Sequence, residues 1–366
     1  MTQAATACVM MFASDNWAGA CPQVQRALAD LGPDVAPAYG GDALSAAVNA
    51  RLSEIFETPV ESLMMATGSA ANALALAHFA KPGGITLAHK NAHVMVDEYN
   101  GPERVSPGLK ILGLSGHAGK LTTDGLGHVL QQFPDGVSRQ GRLTCLSLTQ
   151  ATELGQSYTP AEISALAKLA KQQIGLGVHM DGARLANAIT HLNCTPADVT
   201  WRAGVDCLSL GFTKNGAWAA DLLIFFEGQS SVEAGYIRKQ MGQNFSKPRF
   251  MAAQILAMLE DETWLKNAEH ANQQAANLAN GLAACDKCSV PLMPQSNEVF
   301  AYFEANDIER LQKAGASFYP WPDEDIPDDL KQADKTLMRL VCSFATCSKD
   351  VEVFLTQLGQ SPHIKG

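Results

Sequence analysis

Lys214 carries an amine in a sequence context that suits chemistry with a carbonyl group. It lies in the small-residue segment 211–216, directly after an apolar run over residues 205–211. A lysine that is partly removed from water can have a lowered pKa, and its neutral amine can attack an aldehyde to form a Schiff base. Most lysines are solvated, so Lys214 taken alone also fits an ordinary surface residue.

Asp181 puts a carboxylate at the end of a strand that we predict over residues 174–180. Gly182 and Ala183 follow it, and such small residues allow a flat ring to approach closely. A carboxylate beside a pyridinium nitrogen keeps the nitrogen protonated, and the ring can then withdraw electrons. An aspartate in this position is also a common helix N-cap.

Thr67, Gly68 and Ser69 open the alanine-rich stretch 70–80 directly after the short apolar run 62–66. This order predicts a strand, a turn and a helix. The free backbone N–H groups, the hydroxyls and the positive end of the helix dipole would attract an anion such as a phosphate. Hydroxyl-rich caps also begin many helices that bind nothing.

Three further side chains could act on an aromatic or anionic ligand. His93 could lie flat on a ring or relay a proton, although a single histidine is more often structural. Arg184 and Arg339 could each hold a carboxylate through two parallel hydrogen bonds, although arginines are common on helix surfaces. Lys214, Asp181 and the turn at 67–69 together match the needs of pyridoxal phosphate, which requires a lysine, a carboxylate and a phosphate site.

The elements that must position these residues form an alternating pattern. Between residues 59 and 223, β-rich runs alternate with helical stretches, which is typical of a layered α/β domain. The carboxyl ends of parallel strands meet in one crevice, so the three turns near residues 67, 181 and 214 should converge. A long helical region over 233–284 and predicted strands at 298–303 and 336–344 indicate a second, C-terminal domain, with a loop over 319–328.

Composition limits the class of protein. The chain has 366 residues, 46% of them hydrophobic, and a formal net charge of −10. These values predict a globular protein of about two domains and disfavour nucleic acid as a partner. We see no signal peptide and no apolar run long enough for a membrane span, so we expect a cytoplasmic protein with no membrane partner. The nine cysteines lack zinc-site spacing, which predicts reduced thiols and no metal.

The order of the motifs resembles that of the threonine aldolase family of fold-type I pyridoxal-phosphate enzymes, in particular the low-specificity and phenylserine aldolase branch. The resemblance covers nearly the whole chain. The most specific part is the pair Asp-Gly-Ala-Arg at 181–184 and Thr-Lys-Asn-Gly at 213–216. The other matching segments are 12–16, 39–42, 66–72, 92–98, 147–153, 246–250 and 339–344.

The resemblance implies a role for each cofactor-binding residue. Lys214 would form the Schiff base, and Asp181 would pair with the ring nitrogen. His93 would stack on the ring, and Gly68 and Ser69, with Thr67, would hold the phosphate.

It also implies how a substrate is bound. Ser14, Arg184 and Arg339 would hold the amino-acid carboxylate, and Arg184 would in addition contact the cofactor. Arg249 would contact the phosphate across a subunit interface, and Tyr39 would reach across in a similar way. We therefore expect a homodimer or homotetramer with shared active sites.

One departure from the family pattern concerns the proton on the substrate's β-hydroxyl group. The better-known threonine aldolases have a histidine in the loop after the Ser-Leu strand, whereas segment 150–155 has none and is longer. Glu153, Glu98 and His93 are the candidates for the missing base, in no fixed order.

The implied fold is an aspartate aminotransferase-like α/β fold with a large, mixed and mostly parallel seven-stranded sheet between helices. The expected division is an N-terminal arm (1–20), a large cofactor-binding domain (21–250) and a small α+β domain (251–366). The implied reaction is the reversible cleavage of a β-hydroxy-α-amino acid, such as L-threonine, L-allo-threonine or L-phenylserine, to glycine and an aldehyde. Alternatives are β-elimination or transamination by the same cofactor, or a non-catalytic protein that kept the fold.

Overall fold

The computed structural model describes residues 10–137 and 139–359. Its larger sheet has seven strands in the spatial order β1-β7-β6-β5-β4-β2-β3. All neighbours run parallel except at β7, which is antiparallel to both β1 and β6. The expected mixed and mostly parallel sheet is therefore confirmed. Its strands are β1 (Glu61–Met65), β2 (Gly84–His89), β3 (Lys110–Leu114), β4 (Arg142–Thr149), β5 (Gly177–Gly182), β6 (Cys207–Gly211) and β7 (Asp221–Phe225).

Helices cover both faces of this sheet. The connecting segments contain α1 (Pro22–Asp30), α2 (Ala43–Ile55), α3 (Gly68–Phe79), α4 (His93–Val96), α5 (Gly101–Val105), α6 (Thr123–Gln132), α7 (Pro160–Ala170), α8 (Leu185–Leu192), α9 (Val232–Gln240), α10 (Arg249–Leu259) and α11 (Thr263–Ala283). No helix in the described ranges combines the length and the apolar character that crossing a bilayer requires.

Helix α3 is the central helix of the site. Thr67 caps it by accepting a hydrogen bond from the backbone N–H of Ala70 at 3.1 Å. Residues 71–77 are all buried, and the helix packs across β5, β6 and β7. Small alanine side chains allow this close packing of a helix on a sheet, and they also favour the helical conformation.

The C-terminal part of the chain builds a three-stranded antiparallel sheet in the order β8-β10-β9. Its elements are β8 (Glu298–Phe303), α12 (Ala305–Lys313), β9 (Tyr319–Pro320), β10 (Thr336–Val341) and α13 (Ser348–Gly359). The predicted strand over 336–344 ends earlier, and the predicted loop over 319–328 begins with two residues that pair with β10.

Two hydrophobic cores share helix α11. Trp264 and Ala268 in its first half pack into the core of the large sheet. Leu278 and Leu282 in its second half pack into a second core together with Phe12. The domain division stays a prediction, since its outer segments 1–9 and 360–366 lie outside the described residues.

Candidate active site

The carboxyl ends of β4, β5 and β6 open into one cavity of about 250 Å³. The three turns that the sequence singled out lie around it, as the parallel arrangement of strands requires. Its lining consists of Asn16, Ala66, Thr67, Gly68, Ser69, Asn72, His93, Thr149, Ala151, Glu153, Asp181, Ala183, Arg184, Gly211, Thr213, Lys214 and Asp221.

Lys214 lies on a single 3-10 turn, Thr213–Asn215, that follows β6. Its side chain is half-buried and lines the cavity. No hydrogen bond or ion pair joins Lys214 to another described residue. The amine is therefore available to a ligand. Its position inside a cavity argues against the alternative that Lys214 is an ordinary solvated surface lysine.

Asp221 shapes the turn that carries Lys214, and sequence reasoning missed it. Its Oδ1 atom accepts hydrogen bonds from the backbone N–H of Phe212 at 2.8 Å and from the N–H and hydroxyl of Thr213, both at 3.1 Å. The register Gly211↔Asp221 between β6 and β7 fixes this geometry. Only a correct prediction of that antiparallel pairing could have identified Asp221.

Gly211 lets two of the turns approach each other closely. A Cβ atom at this position would lie 2.9 Å from both Cα and the carbonyl oxygen of Ala183, which real Cβ atoms do not tolerate. The absence of a side chain at Gly211 therefore sets the spacing between the turn of Lys214 and the turn of Asp181.

Asp181 is only 4% exposed at the end of β5. Its Oδ1 atom accepts from the backbone N–H of Ala183 at 3.0 Å, and its Oδ2 atom accepts from Asn72 Nδ2 at 2.8 Å. Helix α8 begins later, with Arg184 in the cap position, so Asp181 does not cap it. The carboxylate is held rigidly at the cavity wall.

The candidate bases lie close together on one side of the cavity. His93 Nδ1 lies 2.8 Å from Glu98 Oε1, and the backbone N–H of His93 donates to Glu153 Oε1 at 3.3 Å. The hydrogen bond with Glu98 raises the pKa of His93, while burial raises the pKa of Glu98. Removal from water, reinforced by the nearby Glu298 carboxylate, raises the pKa of Glu153 to about 7.

The start of α3 forms one end of the cavity. Because Thr67 Oγ1 occupies the N–H of Ala70, the first free N–H groups are those of Gly68 and Ser69. These donors and the helix dipole favour an anion at this end of the cavity.

Arg184 is more heavily paired than the sequence predicted. Its Nε and Nη2 atoms donate to the two carboxylate oxygens of Asp15 at 2.8 and 3.2 Å, and its Nη1 atom lies 3.3 Å from Glu298 Oε2. Asn297 Nδ2 also donates to Asp15, at 3.0 Å. Sequence reasoning missed Asp15, Asn297 and Glu298, because their contacts join segments far apart in the chain.

Arg339 has a lighter set of partners. Its guanidinium lies 4.2 Å from the ring centroid of Trp321, and its Nη1 atom lies 3.9 Å from Glu298 Oε1. The Nε atom is buried and has no hydrogen-bond partner in the described part of the protein. Arg339 does not itself line the cavity.

Three other predicted residues lie outside the cavity of this single chain. Ser14 caps the Asp15–Trp17 turn by accepting from the N–H of Asn16, and Asn16 lines the cavity in its place. Tyr39 is 58% exposed, and Lys239 Nζ lies 5.4 Å from its ring centroid. Arg249 lies in a separate open groove between α1, α2 and α10.

Comparison with known proteins agrees with this geometry. The family model described as beta-eliminating lyase matches residues 11–306. The chain is 38% identical over 308 residues to a low specificity L-threonine aldolase of Pseudomonas aeruginosa, covering 84% of this chain and 88% of that protein. A low specificity L-threonine aldolase of a Pseudomonas species (strain NCIMB 10558) is 36% identical over 308 residues, covering 84% of this chain and 88% of that protein.

Solved structures share the fold. The threonine aldolase of Leishmania major superposes with a TM-score of 0.87 at 24% identity, over 95% of this chain and 98% of that one. A serine palmitoyltransferase of Sphingomonas wittichii superposes with a TM-score of 0.68 at 14% identity, over 96% of this chain and 86% of that one.

Proposed function

The chain belongs to the beta-eliminating lyase family of pyridoxal-phosphate enzymes, and from this premise we propose that it is an aldolase of the threonine aldolase type. The reaction is the reversible cleavage of a β-hydroxy-α-amino acid, such as L-threonine, L-allo-threonine or L-phenylserine, to glycine and an aldehyde. One observation carries the proposal for this chain. The amine of Lys214 makes no hydrogen bond or ion pair with another described residue and lies in the same cavity as the buried carboxylate of Asp181 and the start of α3.

The donor set fits pyridoxal phosphate. Lys214 would hold its aldehyde carbon, Asp181 its ring nitrogen, and the N–H groups of Gly68 and Ser69 its phosphate. His93 would lie against the ring. When bound, the cofactor withdraws the electrons that are released when the Cα–Cβ bond of the substrate breaks.

Two arginines would orient the substrate. Arg339 has an unpaired, buried Nε atom and only a distant acidic partner, so it is our principal candidate for holding the substrate carboxylate. Arg184 lies beside the cavity, but Asp15 and Glu298 already engage its guanidinium. Arg184 would therefore contribute positive charge and a rigid part of the cavity lining. It would not offer two free N–H donors to the substrate carboxylate. Ser14 remains a further candidate contact.

Glu153 is our candidate for the base that removes the β-hydroxyl proton. It lines the cavity and its pKa is raised to about 7, which suits a group that must accept and return a proton near neutral pH. Glu98 is less accessible, because it is buried, accepts from Asn72 and is hydrogen-bonded to His93 Nδ1. His93 would then serve to position the ring.

We expect Glu153→Gln to lower kcat by about 10²–10⁴-fold, the usual contribution of a general base. Since Glu153 must be deprotonated to act, kcat/KM of the unmodified protein should rise with pH up to about 7 and then level off. That acidic limb should disappear in the variant. Glu98→Gln is the matched comparison, and loss of the limb there instead would assign the base to Glu98.

The same substitution has a second, non-kinetic readout. The folded protein binds the Glu153 proton more tightly than the unfolded chain does, so stability is lost as the pH rises through about 7. Glu153→Gln should therefore be more stable than the unmodified protein at pH 8 but not at pH 4, as measured by chemical denaturation.

We also propose a homodimer or homotetramer with shared active sites. Neither Arg249 nor Tyr39 lines the cavity of its own chain, whereas Tyr39 is exposed and Arg249 is half-buried in an open groove, where a second copy could contact both. Light scattering should give at least a dimer. A monomeric enzyme with full activity would contradict this proposal.

A cytoplasmic location is likewise a proposal. It is supported by the state of the cysteines, because those in the described ranges are free thiols, as is usual in a reducing compartment.

A panel of five substrates tests the function. Purified protein loaded with pyridoxal phosphate should release glycine from L-threonine, L-allo-threonine and both L-phenylserine diastereomers, and the kcat/KM values should rank them. L-Serine is the comparison substrate. Pyruvate and ammonia as the main products would instead indicate β-elimination, and a new keto acid would indicate transamination. Failure to bind the cofactor would indicate a non-catalytic protein.

A further inference from the structure

Asn72 donates hydrogen bonds to two carboxylates from a single amide nitrogen. Its Nδ2 atom lies 2.8 Å from Asp181 Oδ2 and 2.9 Å from Glu98 Oε1. The residue is only 2% exposed and lies one turn into α3, on the cavity wall. An amide NH₂ group has two protons, so both hydrogen bonds can form at once.

The connection continues from Glu98 to His93. Glu98 Oε1 accepts from Asn72 and also lies 2.8 Å from His93 Nδ1. An unbroken path of hydrogen bonds therefore runs from Asp181 through Asn72 and Glu98 to His93. Asp181, Asn72 and His93 line the cavity, and Glu98 lies behind them.

Two buried oxygen atoms of this path lack hydrogen-bond partners, and they indicate which contacts of Asn72 matter. Asn72 Oδ1 and Glu98 Oε2 are both buried and have no hydrogen-bond partner among the described residues. A residue kept only for packing would not leave a buried carbonyl oxygen unsatisfied, because an apolar side chain of similar size would avoid that cost. The stabilising contacts of Asn72 are thus entirely on its amino side, toward the two carboxylates.

Charge explains why these contacts couple the groups. Two carboxylates that accept from one nitrogen lie close together, and a neutral amide cannot cancel their charges. The hydrogen bond with Glu98 and the charge of Asp181 accordingly both raise the pKa of His93. The titratable groups that face His93 are Glu98, Asp181 and Glu153, while Asp181 also faces the buried His179, and Lys214 lies across the cavity.

We propose that Asn72 is a positioning residue that couples Asp181 to the His93–Glu98 pair, so that the groups at the cofactor's ring nitrogen and ring face are held in one hydrogen-bonded unit. The inference rests on the proposed function, because it concerns residues that would hold pyridoxal phosphate. Asn72 itself need not touch any reacting atom.

Asn72→Leu tests the proposal, because leucine has a similar volume but no donor. Titration of the cofactor-free protein with pyridoxal phosphate should give a Kd at least about tenfold higher, the usual effect of losing a hydrogen bond to a charged group. The pH at which the absorbance of the bound cofactor changes should shift by about one unit. Asn72→Ser, which keeps one donor, should give an intermediate result and replaces the leucine variant if that variant does not fold.

The matched control is Asn187→Leu. Asn187 is also a buried helical asparagine, but its Nδ2 atom donates to Asn272 outside the cavity, at 2.9 Å. This variant should lose thermal stability and keep the Kd and the absorbance titration of the unmodified protein. A purely structural role for Asn72 would give the same pattern in Asn72→Leu, and that result would overturn the proposal.

A double-mutant cycle with His93→Ala isolates the coupling. The measured quantity is the pH at which the absorbance of the bound cofactor changes. If the path couples the two groups, the change in this pH caused by Asn72→Leu should be smaller in the His93→Ala background, whereas independent roles would give additive changes. Additive shifts would overturn the inference while leaving the aldolase function intact. An unmodified protein that binds no pyridoxal phosphate would instead refute the proposed function.

Discussion

Lys214→Ala should abolish aldol cleavage, with a loss in kcat of at least about 10⁴-fold, as expected when the group that forms a covalent bond is removed. The fold should survive. Lys214 has no hydrogen bond or ion pair with another described residue, and its turn is held by the contacts of Asp221 with Phe212 and Thr213. Glycine release from L-threonine measures the loss.

Stability must be compared between cofactor-free forms, because bound cofactor stabilises only the protein that can bind it. In that comparison, Lys214→Ala should melt within about 3 °C of the unmodified protein. Lys168→Ala, an exposed lysine on α7, is the matched control and should keep full activity. Cleavage by Lys214→Ala above about 1% of the original rate would remove this lysine from the chemistry, whatever its position.

Asp181→Asn should have the next largest effect, a loss in kcat of about 10²–10³-fold, comparable to removing one preorganised electrostatic contact. The substitution keeps the shape of the side chain but removes its charge. Both oxygens of Asp181 accept hydrogen bonds, one from the N–H of Ala183 and one from Nδ2 of Asn72. An asparagine has only one side-chain oxygen, so its NH₂ group must face one of these two donors. Weaker cofactor binding should accompany the slower rate.

The control for this substitution lies at the other end of the same sheet. Asp206 accepts from the backbone N–H of Val178 at 2.8 Å and from Lys171 Nζ at 2.8 Å, just before β6 begins. Asp206→Asn removes a comparable carboxylate far from the cavity, so kcat should be unchanged. Equal losses in both variants would mean that Asp181 acts through the stability of the sheet and not through the cofactor.

The sequence was sufficient for those parts of the site that depend on one segment at a time. Thr67 caps α3 as expected, because a capping residue needs only its own helix. The positions of Lys214 and Asp181 near strand ends followed from the alternating pattern of strands and helices. The predicted strand over 174–180 began too early, since β5 begins at Gly177 and residues 174 and 175 form a turn, with Gly175 at a φ of 72°.

The contacts between distant segments could not be predicted in the same way. Asp15, Arg184 and Glu298 belong to the N-terminal segment, the β5–α8 turn and β8, and no local pattern relates them. Asn72 looked like one polar residue in an alanine-rich helix, and its importance appears only when α3 lies against β5. Long-range carboxylate partners leave no periodic signal, so only the folded arrangement shows them.

Arg184 ties together three pieces of chain, and this has a practical meaning for protein engineering. A chimera that exchanges everything after α11 for the corresponding part of a relative would replace Glu298 but retain Asp15 and Arg184. If the donor sequence has no acid at that position, Arg184 keeps only one of its two carboxylate partners. Specificity grafts should therefore transfer β8 and β10 as one block and check that an acid faces Arg184, or the graft will change the charge of the pocket along with its shape.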